Sequence, residues 1–401
     1  MPDLLKQAAR DAPHEIAVIS KEGELSFSEL DKLADAIEMN AKEGEIVPFF
    51  APPSAEAIAF FFAVWRKGAS LCPLNLRLPK TQRENQIQKL NGRCGTHLLL
   101  FTSGSTGTPK IAALSMRNLT ASAAGATHAL DLKAGDRWLL SLPLFHVGGI
   151  GILFRCLMAR AALVIGDHPD ITHLSFVPTQ LYRATPVYPK LRCLLLGGAP
   201  VGNFPASLPI YATYGLTEMS SLVLARRARS FSSLGHPLPG REMKLAPDGE
   251  ILVRGECLFQ GSWEEGKLNL PIKDGWFATG DLGKREKEGF AITGRKDWMF
   301  ISGGENIQPE EIERELIALP EIAEAVVVPI DDPEFGKRPA AAVKLNDPSF
   351  HLEKLQRALA EKLPKYKIPV SLFALDEIPK IGLKTDRKQI FELIRNNNLT
   401  N

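Results

Sequence analysis

Short, largely apolar runs rich in Leu, Val and Ile, separated by helix-length stretches, recur along the first half of the chain, at His97 to Phe101, Trp138 to Leu142, Ala162 to Ile165 and Cys193 to Leu196. A strand without a polar face cannot border water, so these runs predict a sheet covered by helices on both sides, an α/β architecture. Ser28 to Met39 places Leu30, Leu33, Ala34 and Ile37 at helical spacing behind a Ser that can cap them, and Ala55 to Trp65 is apolar nearly all round. Both read as core helices. With 401 residues, 45% hydrophobic and 23% charged, the chain has ample material for a core, which excludes a disordered tail or a fibrous repeat.

The texture changes after about Leu234. GHPLPG and then REMKLAPDGEILVRGE set Pro247-Asp248-Gly249 between two alternating runs, the signal of a hairpin in a small β subdomain. Beyond Gly294 the pattern predicts a helix Pro309 to Leu319, strands Ala323 to Pro329 and Arg338 to Leu345, a helix Leu352 to Leu363, a strand around Leu372 and a last helix near Lys388 to Ile394. We therefore expect a large N-terminal α/β domain with a small β subdomain, residues 1–294, followed by a small α+β C-terminal domain, residues 295–401.

Lys plus Arg (48) nearly cancels Asp plus Glu (46), so no broad field exists for gripping nucleic acid or acidic lipid. Any anion site must be local. The five cysteines, Cys72, Cys94, Cys156, Cys193 and Cys257, are odd in number and lack any CxxC, which points away from a disulfide framework or a zinc cluster and fits a reducing compartment. The opening MPDLLKQAARDAPHE has no apolar signal-peptide core, and the longest apolar run, Ile58 to Trp65, is far short of a membrane span. The expectation is a cytoplasmic protein with no membrane span.

The segment Leu98 to Lys110, LLLFTSGSTGTPK, is a strand that runs into a loop with two glycines, five hydroxyl side chains and a closing lysine. Amides freed by Gly104 and Gly107, the hydroxyls of Thr102, Ser103, Ser105 and Thr106, and the Lys110 ammonium can enclose a polyphosphate. It is not a Walker A loop, because Pro109 and Ile111 break that pattern, and a loop of this kind taken alone is equally compatible with an ordinary turn.

TSGSTGTPK resembles the phosphate-loop signature of the adenylate-forming superfamily of acyl-CoA synthetases, luciferases and peptide-synthetase adenylation domains. Four further motifs follow in that family's order. Tyr214-Gly215-Leu216-Thr217-Glu218 resembles its nucleotide-binding turn, and the stretch from Gly275 to Asp281, GWFATGD, its ribose-binding segment. The stretch Gly294 to Glu313 resembles its hinge and following loop, and Lys384-Thr-Asp-Arg-Lys388 its catalytic-lysine segment. The resemblance implies attack of a carboxylate on the α-phosphorus of ATP, with Mg²⁺ on Glu218, Thr217 donating to the α-phosphate and Lys384 bridging carboxylate and phosphate. It further implies that Asp281 accepts from the ribose hydroxyls while Arg295 donates from the far side, and that the adenine lies between the Gly198-Ala199 loop and Tyr214. Asp297 falls at the hinge, where the C-terminal domain would swing to present either Lys384 or the loop bearing Gly303 and Gly304, the latter to a CoA thiol. The family's usual glycine before the lysine is absent here, which leaves Lys380 as an alternative.

Ser141 to Arg155, SLPLFHVGGIGILFR, and Ser175 to Arg183, SFVPTQLYR, resemble o-succinylbenzoate–CoA ligases of menaquinone biosynthesis. That acid keeps a second carboxylate, which needs a donor or cation in an apolar pocket. His146, Gly149, Thr179 and Arg183 are the candidates for the acyl site. Two alternatives stay open: an enzyme loading another acid onto CoA or a carrier protein, and a nucleotide-binding regulator that has lost the chemistry.

Overall fold

The structure is a computed structural model of the chain and describes residues 3–102, 110–177, 180–181, 187–197, 207–227, 233–381 and 384–398. Two sheets dominate the N-terminal part. One has eight strands, running in space from Ser221–Arg227 through Ile210–Leu216, Cys193–Leu196, His173–Phe176, Arg137–Leu139, Ala162–Val164 and Ile16–Ser20 to Gly23–Ser26. Its inner strands pair in parallel and its two outermost pairings are antiparallel. The other has six strands, from Lys267–Asn269 through Gly261–Glu264, Lys110–Leu114, Leu98–Thr102 and Ser70–Leu74 to Ile46–Phe50.

Helices Ala55–Arg66, Met116–Ala129 and Val147–Ala159 share one continuous core with strands of both sheets, which is why Ala55–Arg66 is apolar on nearly every face. Trp65 links the first and last of them, its ring 5.8 Å from that of Phe154. The helix expected from Ser28 runs Phe27–Ala36, and its start is fixed by a reciprocal box between Ser26 and Glu29. The expected strand Trp138 to Leu142 is shorter, Arg137–Leu139, because Leu142-Pro143 begins a loop that leads to the next helix. All five cysteines are buried and free. Among the described residues no helix is long and apolar enough to cross a membrane.

Strands Arg241–Leu245 and Glu250–Gly255 form the expected hairpin, with Gly249 at φ +83° in its turn. They belong to an antiparallel sheet that continues through Trp276–Glu286 to Gly289–Arg295. Past Arg295 the elements change partners. A hairpin Phe300–Ser302/Glu305–Ile307 is followed by helix Pro309–Ile317 and a sheet of Ile322–Asp332, Gly336–Leu345 and Ser371–Ala374. Helices Pro309–Ile317 and Leu352–Ala360 bury Ile312, Leu316, Leu355 and Leu359 on one side of that sheet, while Ile390 and Ile394 of Arg387–Asn398 pack on the other. The molecule thus has a large N-terminal α/β part and a small C-terminal α+β part.

Candidate active site

Strand Ile210–Leu216 leads directly into a single turn, Thr217–Met219, that carries Thr217 and Glu218. The turn is pinned from three directions. Phe259 donates its amide to the Glu218 carbonyl at 2.8 Å, the Ser122 hydroxyl donates to the Ser220 carbonyl at 2.8 Å, and the Ser220 hydroxyl to the Cys257 carbonyl at 2.8 Å. Gly215 is where the pairing with Ser221–Arg227 slips by one, and a Cβ there would lie 2.3 Å from the Ser221 carbonyl oxygen, so only glycine fits. The turn also packs against strand Lys110–Leu114, whose first residue is the exposed Lys110. Across the hairpin, Thr102 donates its hydroxyl to the Lys110 carbonyl at 3.3 Å.

The same strand supplies Tyr214, whose buried hydroxyl donates to Asp281 Oδ2 at 2.6 Å. Burial pushes the Tyr214 phenol well above its usual range and the Asp281 carboxylate pushes it further, so the hydroxyl stays a donor. Arg295 Nη1 donates to Asp281 Oδ1 at 2.7 Å, and Arg295 Nη2 to Asp297 at 3.0 Å. Burial works against the Arg295 charge, but the two carboxylates outweigh it and raise its pKa. Among the described residues each Asp281 oxygen therefore has one partner, which leaves it a lone pair, the capacity needed for two vicinal hydroxyls. Asp281 and Asp297 thus share one guanidinium.

The two segments assigned to the acid are stitched together. Gln180 accepts from the Val177 amide at 2.9 Å and donates to the Ser141 carbonyl at 3.2 Å, while the Ser141 hydroxyl bonds the Ser175 carbonyl. His146 stands at the N-cap of Val147–Ala159 with its ring 4.6 Å from Phe145. Gly149 has a packing reason: a Cβ there would lie 2.2 Å from the Pro143 carbonyl oxygen. The same helix carries a residue that sequence reasoning missed. Arg155 is 2% exposed, donates to Ser221 Oγ at 2.7 Å and lies 5.3 Å from the Trp138 ring, and among the described residues no carboxylate is paired with it. Burial, reinforced by Arg241, lowers its pKa to about 10, which leaves it charged at neutral pH. A buried cation without an anion is costly, and an incoming carboxylate would relieve that cost.

Among the described residues no group of three or more His, Cys, Asp or Glu side chains could hold a metal alone. Mg²⁺ carried on phosphates needs only one or two protein carboxylates, which a single group such as Glu218 on the pinned turn could supply. In the C-terminal part, Gly303 and Gly304 form the tip of the hairpin Phe300–Ser302/Glu305–Ile307 at φ +56° and +88°, with the Gly303 amide donating to Phe335. Lys384 lies on the short strand Lys384–Thr385, and its side chain falls outside the described residues. Lys380, the alternative, is tied to Glu324 at 2.6 Å with its side chain 20% exposed. Ser103, Gly104, Ser105, Thr106, Gly107, Thr179, Arg183, Gly198 and Ala199 also lie outside the described residues.

The AMP-binding enzyme family matches residues 5–94 and 96–263, and the AMP-binding enzyme C-terminal domain matches 311–384. A 2-succinylbenzoate–CoA ligase from Salmonella typhimurium is 34% identical over 408 residues, covering 89% of each chain. The o-succinylbenzoate CoA synthetase of Bacillus subtilis in complex with ATP and magnesium ion matches with a TM-score of 0.85 at 27% identity, covering 98% of this chain and 99% of that one. In complex with the acyl-adenylate intermediate OSB-AMP it gives a TM-score of 0.83 at 27% identity, covering 97% and 98%. The match over residues 5–94 and 96–263, well over half of the chain, places this protein in the AMP-binding enzyme family.

Proposed function

We propose that the protein is an AMP-forming acid–CoA ligase that converts o-succinylbenzoate, ATP and CoA to o-succinylbenzoyl-CoA, AMP and pyrophosphate, a step of menaquinone biosynthesis carried out in the cytoplasm. The observation that carries the choice of acid is Arg155, a buried charged guanidinium with which no carboxylate among the described residues pairs, on the helix capped by His146 and bonded to Ser221, two residues past the Thr217–Met219 turn. A substrate with a second carboxylate matches that vacancy of charge, while benzoate or a fatty acid would leave it unmet.

In the first half-reaction a carboxylate oxygen of the acid attacks the α-phosphorus and pyrophosphate leaves. Asp281, oriented by Tyr214 and Arg295, accepts from the ribose hydroxyls; Thr217 donates to the α-phosphate; and Lys384 offsets the charge that develops between carboxylate and phosphate. Mg²⁺ held by Glu218 would neutralise phosphate charge. In the second, the CoA sulfur attacks the acyl carbon and AMP leaves with the bonding pair. We place the two domains at 1–294 and 295–401, with rotation at Asp297 exchanging Lys384 for the Gly303-Gly304 loop.

The test supplies purified protein with ATP, Mg²⁺ and CoA and follows AMP and thioester by mass spectrometry with o-succinylbenzoate, benzoate and a medium-chain fatty acid. Selective formation of o-succinylbenzoyl-CoA is expected. Preference for another acid would sink the substrate, and ATP binding without AMP from any acid would sink the chemistry in favour of a regulator.

A further inference from the structure

The two residues that flank Asp297 are fastened to different bodies. Lys296 is fastened to the N-terminal part, its ammonium 2.6 Å from Asp248 and 2.9 Å from Glu250. The other Glu250 oxygen accepts the Gly280 amide at 3.0 Å, one residue before Asp281. Trp298 is fastened to the C-terminal part, its ring 4.2 Å from the Arg387 guanidinium, which also bonds Glu313 and, at 2.9 Å, the Val327 carbonyl. Asp297 is the one residue between these two clamps, so a turn of the C-terminal domain concentrates there.

Contacts that cross this pivot must break when it turns, and the strongest of them meet on a single residue. The Gln308 amide donates to the Arg295 carbonyl at 2.9 Å, and the buried Glu310 accepts the Arg295 amide at 3.1 Å. Gln308 and Glu310 also bond each other, so the pair grips Arg295 as a unit. They sit over Gly294, where a Cβ would lie 2.3 Å from Gln308 Nε2 and 2.6 Å from Glu310 Oε2. Arg295 is the end of strand Gly289–Arg295, whereas Gln308 and Glu310 open helix Pro309–Ile317 on the other side of the hinge.

We propose that Gln308 and Glu310 are positioning residues that latch the C-terminal domain in one of its two working orientations by holding the backbone of Arg295, whose side chain holds Asp281. This rests on the reading that the domain turns at Asp297. The latch is released by withdrawing one amide and one carboxylate, and the glycine at 294 is the seat that admits them.

Three variants of the full chain test it. Gln308→Leu deletes the donor, Gln308→Glu replaces it with an acceptor of nearly the same shape, and Gly294→Ala evicts it without altering the C-terminal domain. Two readouts are taken: tryptic cleavage after Arg295 and Lys296 in the unliganded protein, and the rates of acid-dependent pyrophosphate exchange and of thioester formation from supplied acyl-adenylate. Loss of the hydrogen bond to the Arg295 carbonyl should speed cleavage at those two bonds about threefold or more, with other cuts unchanged, and shift the ratio of the half-reactions by a similar factor in the same direction in all three variants. Unchanged cleavage with both half-reactions scaling together would overturn the latch. If the parent protein shows no pyrophosphate exchange with any acid, the proposed function falls, and the cleavage readout alone decides the latch.

Discussion

At the scale of single residues, the site is built from side chains whose partners lie far away in sequence. Tyr214→Phe removes only the hydroxyl on Asp281; at about 1 kcal/mol for such a bond, KM for ATP should rise roughly fivefold while the melting temperature changes little. Arg155→Met should lower kcat/KM for o-succinylbenzoate by about tenfold or more and leave benzoate turnover unaffected, which steady-state kinetics on the two acids would check. Stability should hold or rise, because the variant removes a buried charge that no carboxylate among the described residues offsets. Lys384→Ala should slow pyrophosphate exchange by on the order of 10²-fold while sparing thioester formation from supplied acyl-adenylate; equal loss of both would contradict its role. Asp281 and Arg295 could be picked out from the sequence because their motifs fix them. The motif also names Tyr214 but not its bond to Asp281, which spans 67 residues, and Arg155 is one arginine among many, which only its burial in the fold separates from surface side chains.

At the scale of elements, legibility followed the strength of the apolar pattern. Cys193–Leu196 is the expected strand to the residue, since it is buried on both faces. Met116–Ala129, rich in Ala, Ser, Thr and Gly, is a core helix with no bulky stripe, and the three glycines near the start of Val147–Ala159 mask its helical character. Strand His173–Phe176 shows how an element sets a titration. His173 packs 5.2 Å from the Trp138 ring, its Nδ1 2.8 Å from the Thr172 hydroxyl, and burial lowers its pKa to about 4. The unfolded chain takes a proton near pH 6.5 and the native one does not until about 4, so this residue's contribution is complete above pH 6.5 and falls away as pH drops through that window. The full difference is about 3 kcal/mol. Urea unfolding at pH 7 and pH 4.5 should show a drop in stability that is smaller in His173→Asn by most of that amount; equal drops would remove His173 as its source.

At the scale of the whole molecule, the two parts have separate cores and meet where Gln308 and Glu310 hold the end of strand Gly289–Arg295. Asp297→Pro stiffens the single residue between the Lys296 and Trp298 clamps. It should leave pyrophosphate exchange largely intact while impairing CoA-dependent turnover, and unchanged turnover would take the pivot away from Asp297. The succession of an α/β part and an α+β part was readable from periodicity, whereas the fastening of Arg295 was not, because it depends on how two separately folded bodies come to rest on each other. The five buried cysteines carry a last consequence. An acyl-adenylate is a mixed anhydride that will acylate any thiolate it meets, and this enzyme makes one beside a thiol co-substrate. Burial keeps Cys72, Cys156, Cys193 and Cys257 protonated and out of reach, so the chain offers no rival nucleophile among them to intercept its own intermediate.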